Sequence, residues 1–235
     1  MLTVSCSDGE SISADNGGNQ GSGQGGSLAR FAISGDYLYT VDNELLKTLD
    51  ISNPQKPIPS STTKIGFNIE TIFSRGNTLF IGSQNGMYIY DLQNPSTPTK
   101  LSVYQHIVSC DPVVADSKYA YVTLRTGTNC FRGVNLLEII DIQDLTNPTL
   151  ITSYPMTNPK GLGIDNTTLF VCDDGLKVFD VSDVNNIVLK NHFNISATDV
   201  IARGGLLLVL GDEGIMQYQY VGDNLQFLSK ISVLR

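Results

Sequence analysis

The sequence predicts an all-β protein, a five-bladed β-propeller of four-stranded antiparallel blades, on three observations. Apolar strings ending in a shared position recur at Asp50, Asp91, Asp141, Asp180 and Tyr220, which are 41, 50, 39 and 40 residues apart. Each is preceded by a second short apolar string, and no window carries the i, i+3, i+4, i+7 spacing of an amphipathic helix. Self-similarity near 40 residues built from short β-like runs belongs to propeller blades rather than to a helical solenoid.

The strings justify each element in turn. YLYTV, TLFIG, YAYVTL, TLFVC and LLLVL serve as second strands; LLKTLDIS, MYIYDLQ, LEIIDIQ, LKVFDVS and IMQYQYV serve as third strands. Their Val, Ile, Leu, Tyr, Phe and Thr content is what a pleated, half-buried surface prefers. DNE, SQNG, DDG and DEG join second to third strands as tight hairpins, with Gly86, Gly175 and Gly214 expected where positive φ is needed. After the third strand, Asn53-Pro54, Asn94-Pro95 and Asn147-Pro148 end the ladder. The aspartates of this turn, Asp50, Asp91, Asp141 and Asp180, recur once per blade, so a structural bond to a nearby backbone amide outweighs a catalytic role. Blades are expected at about 28–66, 67–106, 107–156, 157–195 and 196–235, the first and last meeting face to face to close the ring.

Residues 1–27 read differently. Seven glycines lie between Ser7 and Ser27, and such a stretch buries too little apolar area to offset its ordering entropy. LTVSC, ending at Cys6, resembles the end of a bacterial lipoprotein signal, with Val4 and Ser5 in fitting positions and Thr3 a departure from the usual Leu. That resemblance implies lipidation at Cys6, a disordered tether, a cell-envelope (outer-membrane) location and membrane contact through the lipid only. Asp8 and Glu10 resemble a surface-export signal.

The third strands also resemble the LVIVD-repeat family, through LKTLD, MYIYD, LEIID and LKVFD, with D-I-S-N-P intact at Asp50 to Pro54. The resemblance implies a propeller exported by Gram-negative bacteria and carries no catalytic residues with it. The fifth unit departs, holding Gln219 and Tyr220 where the aspartate turn belongs.

Composition and motifs exclude several functions. Fifteen basic against 23 acidic residues give a net charge of −8, which disfavours nucleic acid. Leu206 to Leu210 is far short of the roughly 20 apolar residues of a spanning helix. Two histidines in no ligand spacing, no G-x-S-x-G and no calcium loop leave no catalytic residue, no metal site and no cofactor expected. Cys110 and Cys130 flank one repeat's central strands, which leaves open a disulfide or two unpaired thiols; Cys172 reads as a small core residue.

Binding residues are expected on the face holding the second-to-third-strand turns and the blade connections. These are Phe67, Tyr104, His106, Arg125, Asn129, Arg132, Tyr154, Asp173, Asp174, His192, Asp212 and Glu213. An acidic rim around aromatics suits a sugar, a peptide or a basic protein surface, and the 126–135 insertion is the loop whose length asks for a purpose. The expectation is thus a monomeric, non-enzymatic binding or scaffold propeller with an unknown protein, peptide or carbohydrate partner. A hydrolase or lyase with a site in the central mouth and a structural envelope subunit are the alternatives.

Overall fold

A computed structural model describes residues 25–84, 86–105, 112–126 and 134–233. Twenty strands form five four-stranded antiparallel sheets arranged as a propeller, and no helix occurs among the described residues. Blade 1 holds β1 (Phe31–Ser34), β2 (Tyr37–Val41), β3 (Leu45–Asp50) and β4 (Ile58–Lys64). Blade 2 holds β5 (Ile69–Arg75), β6 (Thr78–Ser83), β7 (Gly86–Asp91) and β8 (Thr99–Gln105). Blade 3 holds β9 (Val113–Ala115), β10 (Tyr119–Leu124), β11 (Leu136–Asp141) and β12 (Thr149–Pro155). Blade 4 holds β13 (Pro159–Asp165), β14 (Thr168–Asp173), β15 (Leu176–Asp180) and β16 (Val188–Phe193). Blade 5 holds β17 (Asp199–Arg203), β18 (Leu206–Gly211), β19 (Gly214–Val221) and β20 (Asn224–Ser232).

The first strand of each blade is innermost. β1 packs on β5, β5 on β9, β9 on β13 and β13 on β17. Every blade meanders outward in strand order, so the turns between first and second strands share one face with the connections between third and fourth. We call this the turn face; the hairpins between second and third strands lie on the opposite, hairpin face.

The repeated aspartates do what their recurrence suggests. Asp50, Asp91, Asp141 and Asp180 each accept a bond from the amide two residues on, at Ser52 (2.8 Å), Gln93 (3.2 Å), Gln143 (2.9 Å) and Ser182 (3.0 Å). A second such turn follows at once, where Asn53, Asp144 and Asp183 accept from the amides of Gln55, Thr146 and Asn185. This corrects the alignment of Asn147-Pro148. The Asn147 amide bonds the Asp144 carbonyl as the Lys56 amide bonds that of Asn53, so Pro148 corresponds to Pro57, and Leu145 to Pro54.

The same connections stitch neighbouring blades together. Tyr39 donates to the Pro95 carbonyl (2.8 Å), Ser102 to Leu145 (2.6 Å), Tyr154 to Val184 (3.2 Å) and the Asn191 amide to Asp223 (3.2 Å). Each bond runs from one blade to the third-to-fourth connection of the next.

Blade 5 has its own solution. β19 runs on through Val221, past the position of the missing aspartate, and turns at once on Gly222, whose φ of 61° suits a residue without a Cβ. Tyr220 then donates to Asp165 of blade 4.

Glycines at the hairpins are explained by crowding more than by φ. Gly175 and Gly214 have φ of 114° and 123°, but Gly86 is not in the left-handed region. A Cβ on any of the three would fall 2.4 Å or less from a fourth-strand carbonyl for Gly86 (Tyr104) and Gly214 (Ile231), and 2.5 Å for Gly175 (Phe193).

Middle and end blades differ in burial. Leu79 to Ile81, Ala120 to Val122 and Leu169 to Val171 are essentially inaccessible on both faces of their sheets. In β18, Leu207 and Val209 are buried against blade 4, whereas Leu206, Leu208 and Leu210 on the other face are 45%, 38% and 46% exposed. Ile215 and Ile231 lie on the same open face. Phe31 of blade 1 is likewise exposed, and β17 does not run alongside β1. The expected face-to-face closure of first and last blades is therefore not made. Both blades carry apolar residues on both faces, and alternation alone does not say which of the two is covered.

Candidate functional site

Segment 25–29 leads into β1 across the propeller axis. Ser27 is fully buried; its Oγ accepts from the Leu162 amide (2.8 Å, blade 4) and donates to Asp199 Oδ1 (2.9 Å, blade 5). The Leu28 amide donates to Asp199 Oδ2 (3.2 Å), and the Ala29 carbonyl accepts from Ile72 of blade 2 (2.8 Å). Bonds to three blades place the segment among the innermost strands, near the hairpin face, where β17 begins. Asp199 fits because its neighbours lack side chains: a Cβ on Gly26 or Gly161 would lie 2.1 or 2.2 Å from its oxygens. Burial pushes the Asp199 carboxyl above the ordinary range, against the pull of Ser27 and the amides of Leu28 and Val200. Glu70, at the start of β5, is also raised by burial, tempered by a bond with Gln84 and the charges of Arg30 and Arg125.

On the turn face lies a cavity of about 860 Å³. Its walls come from the inner ends of blades 2 to 5. Phe73, Phe80, Ala115, Ile142, Leu145, Ile164, Val181 and Ala202 supply the apolar lining, and the first-to-second-strand turns supply a polar rim. That rim holds Arg75, Lys118 and Arg203 from three blades, with Ser117, Asn166 and Thr167 between them.

The carboxylates of this wall are committed. Asp116 Oδ1 accepts from the amides of Lys118 (2.7 Å) and Tyr119 (2.9 Å), and Oδ2 from the Tyr121 hydroxyl (2.9 Å). Asp165 accepts from Tyr220 and from Asn166 (3.1 Å). The phenols pay in acidity: burial, then the adjacent carboxylate, raises Tyr121, and burial with the Asp165 bond raises Tyr220. Arg75, Lys118 and Arg203 make no ion pair or side-chain hydrogen bond with any described residue.

None of the described residues expected from the sequence to bind lines this cavity. Asp173 is fully buried, accepting from the amides of Thr157 and Asn158 and from Lys177 at 2.7 Å. Burial would raise its carboxyl, but Lys177 and those two amides outweigh burial and hold it below the ordinary range. Tyr104 donates to Glu138 of the next blade (3.1 Å), and Tyr154 makes the stitch to Val184. His192 Nε2, on β16, lies 2.7 Å from the carbonyl oxygen of Asp174 in the β14–β15 turn of the same blade. Asp212 accepts from Ser196 (2.9 Å) and Glu213 pairs with Lys230. Phe67 is 62% exposed, and Arg125 is partly buried after β10. His106, Asn129, Arg132, Cys110, Cys130 and Cys6 lie outside the described residues. Cys172 is buried, and burial raises its thiol far above the ordinary range. No cluster of three metal-ligating side chains occurs among the described residues, nor any helix long and apolar enough to cross a membrane.

The cavity residues went unnoticed in the sequence because RGN, DSK, DNT and RGG read as plain turns. The signal available was a basic residue at equivalent turns of blades 2, 3 and 5 in an acidic chain.

Comparison places the chain among known folds. The LVIVD repeat model matches residues 25–63, 71–105 and 110–156, just over half of the chain. Compared by sequence with curated proteins, the chain matches none. Among solved structures, the periplasmic gluconolactonase PpgL of Pseudomonas aeruginosa superposes with a TM-score of 0.63 at 12% identity, over 85% of this chain and 68% of that one. A putative 6-phosphogluconolactonase from Bacteroides fragilis gives 0.53 at 12%, over 85% and 82%. Apo AztD from Citrobacter koseri gives 0.60 at 12%, over 85% and 60%. Identities this low show the fold alone.

Proposed function

Because the chain belongs to the LVIVD-repeat family and its blades wall a cavity on the turn face, we propose that it is a binding propeller that holds its ligand in that cavity without catalysing a reaction. The carrying observation is the chemistry of the wall. It offers apolar surface, amides, hydroxyls and cations for recognition, while Asp116 and Asp165 are each bonded to a tyrosine. Acid–base hydrolysis of sugars asks for two carboxyl groups facing the reacting bond, and these two are spent on holding turns.

The test is an NMR titration of the isotope-labelled chain with a panel of neutral sugars, acidic sugars and short peptides. At least one class is expected to shift the amides of Gly76, Ser117, Asn166 and Gly204. Ser117→Trp, which fills the mouth, is expected to abolish those shifts. A panel that moves none of them overturns the reading. The lactonases among the structural neighbours supply the rival activity to measure: hydrolysis of glucono-δ-lactone above background, lost in Asp116→Asn, would replace binding with catalysis.

The proposal extends to location. The LTVSC string and the glycine-rich stretch after it support a tether that carries a lipid on Cys6 and holds the propeller at the cell envelope. Fatty-acid labelling in a Gram-negative host, lost in Cys6→Ala, is the expected result; labelling that persists in the variant removes Cys6 as the acceptor.

A further inference from the structure

The cavity on the turn face has a charge opposite to that of its protein. The chain carries a net −8, yet three cations, Arg75, Lys118 and Arg203, stand against two carboxylates, Asp116 and Asp165, on the wall. The carboxylates accept bonds from phenols, amides and a neighbouring asparagine. The cationic side chains donate to no described group.

Most of the other described basic side chains are engaged, Lys56 and Lys160 being exceptions. Lys47 pairs with Asp42, Lys64 with Glu44, Lys177 with Asp173, Lys190 with Asp180 and Lys230 with Glu213. Lys100 lies 4.9 Å from the ring centre of Tyr88. What sets Arg75, Lys118 and Arg203 apart is that three unpaired cations, drawn from three separate blades, are gathered on one concave wall. A concave site also excludes part of the water that would otherwise screen them, which strengthens attraction to an anion.

We infer that the cavity binds a small anionic polyol, a sugar bearing a carboxylate or a phosphate, with its charged end on Arg75, Lys118 and Arg203. Guanidinium groups match the geometry of both anions through paired N–H donors, and an ammonium adds a point charge. Ser74, Ser117, Asn166 and Thr167 are on the same wall, where hydroxyl and amide groups can meet the hydroxyls of a sugar. The apolar floor takes the ring's C–H face. The inference rests on the binding reading above and names the ligand class for that site.

Isothermal titration with glucose 6-phosphate, glucuronate and glucose tests it. Both acids are expected to bind, glucose at least tenfold more weakly, and the acids' affinity is expected to fall as salt rises. The triple variant Arg75→Gln, Lys118→Gln, Arg203→Gln is expected to weaken the acids about tenfold or more, since exposed ion pairs are each worth a few-fold and here three act together. A control lacking Lys47, Lys56 and Lys64 (each to Gln) loses the same charge elsewhere and is expected to bind as wild type.

Equal binding of glucose and the acids, blocked by Ser117→Trp, would leave the binding reading intact and overturn the charge inference. Acids that do not bind at millimolar concentration, or whose binding the control weakens as much as the triple variant does, also overturn it. Thermal unfolding of both variants confirms that they are folded before affinities are compared.

Discussion

Ser27 and Asp199 meet at 2.9 Å across 172 residues of sequence. The bond ties the approach to the first blade into the first strand of the last. Ser27 Oγ both donates to the carboxylate and accepts from the Leu162 amide, so Ser27→Ala strands a buried N–H. Loss of about 1–3 kcal/mol is expected, measured by urea unfolding, and Ser27→Thr, which keeps the hydroxyl, is expected to lose less.

The glycines on either side of Asp199 are packing requirements. Gly161→Ala places a Cβ 2.7 Å from the Asp199 Cα as well as against its carboxylate. Backbone cannot move aside as a flexible side chain does, so a cost of about 2 kcal/mol or more is expected. Wild-type stability in this variant would mean that segment 25–29 is not docked as described.

Asp199 and Asp173 pull stability in opposite directions with pH. The Asp199 carboxyl is raised in the fold, so its contribution is fully present below the unfolded value near 3.8 and is lost as pH rises through the folded value. The Asp173 carboxyl is lowered, so its contribution is present above 3.8 and is lost as pH falls through the folded value. Asp173→Asn is therefore expected to flatten the acid limb of a stability–pH curve, and Asp199→Asn the limb just above pH 4. Denaturant midpoints from pH 2 to 7 read both, and an unchanged acid limb in Asp173→Asn would refute the assignment.

The open face of blade 5 predicts behaviour in solution. Leu206, Leu208 and Leu210 present contiguous aliphatic surface, the kind that drives association. Leu208→Lys is expected to leave stability within about 0.5 kcal/mol and to reduce concentration-dependent association in light scattering. If the substitution instead unfolds the chain, Leu208 is buried in solution and the blade arrangement needs revision.

The turn aspartates allow a sharper discrimination. Asp141→Ala is expected to cost about 1 kcal/mol through loss of the bond to the Gln143 amide, with little change in ligand affinity. Asp50→Ala, at the equivalent place in a blade that does not line the cavity, is expected to behave alike.

Blade architecture was readable because it is written redundantly. The strings around Asp50, Asp91, Asp141 and Asp180 repeat one pattern, and a bond made four times to the amide two residues on leaves four copies of it. Local chemistry without a copy is not legible in the same way. Asn147-Pro148 looked like Asn53-Pro54, yet it sits three residues further along its connection. Ser27 looked like tether, since nothing in GGSLAR announces a partner 172 residues away. LLLVL is as apolar as TLFVC, and only the position of blade 5 at the end of the arc exposes alternate leucines. The cavity was invisible for another reason. Its cations lie in turns whose sequence is ordinary, and their meaning comes from which face four blades share.

Segment 25–29 carries a consequence for how the molecule is assembled. Its anchors, Leu162 and Asp199, emerge from the ribosome long after it does, so the earliest of the described residues to be made are among the last to settle. Until then the axis stays unsealed and the innermost strands of two blades keep open amides. Contacts this distant in sequence are slow to form, and refolding of the intact chain should end with a late phase that reports the seal, faster blade formation having already saturated the strand signal.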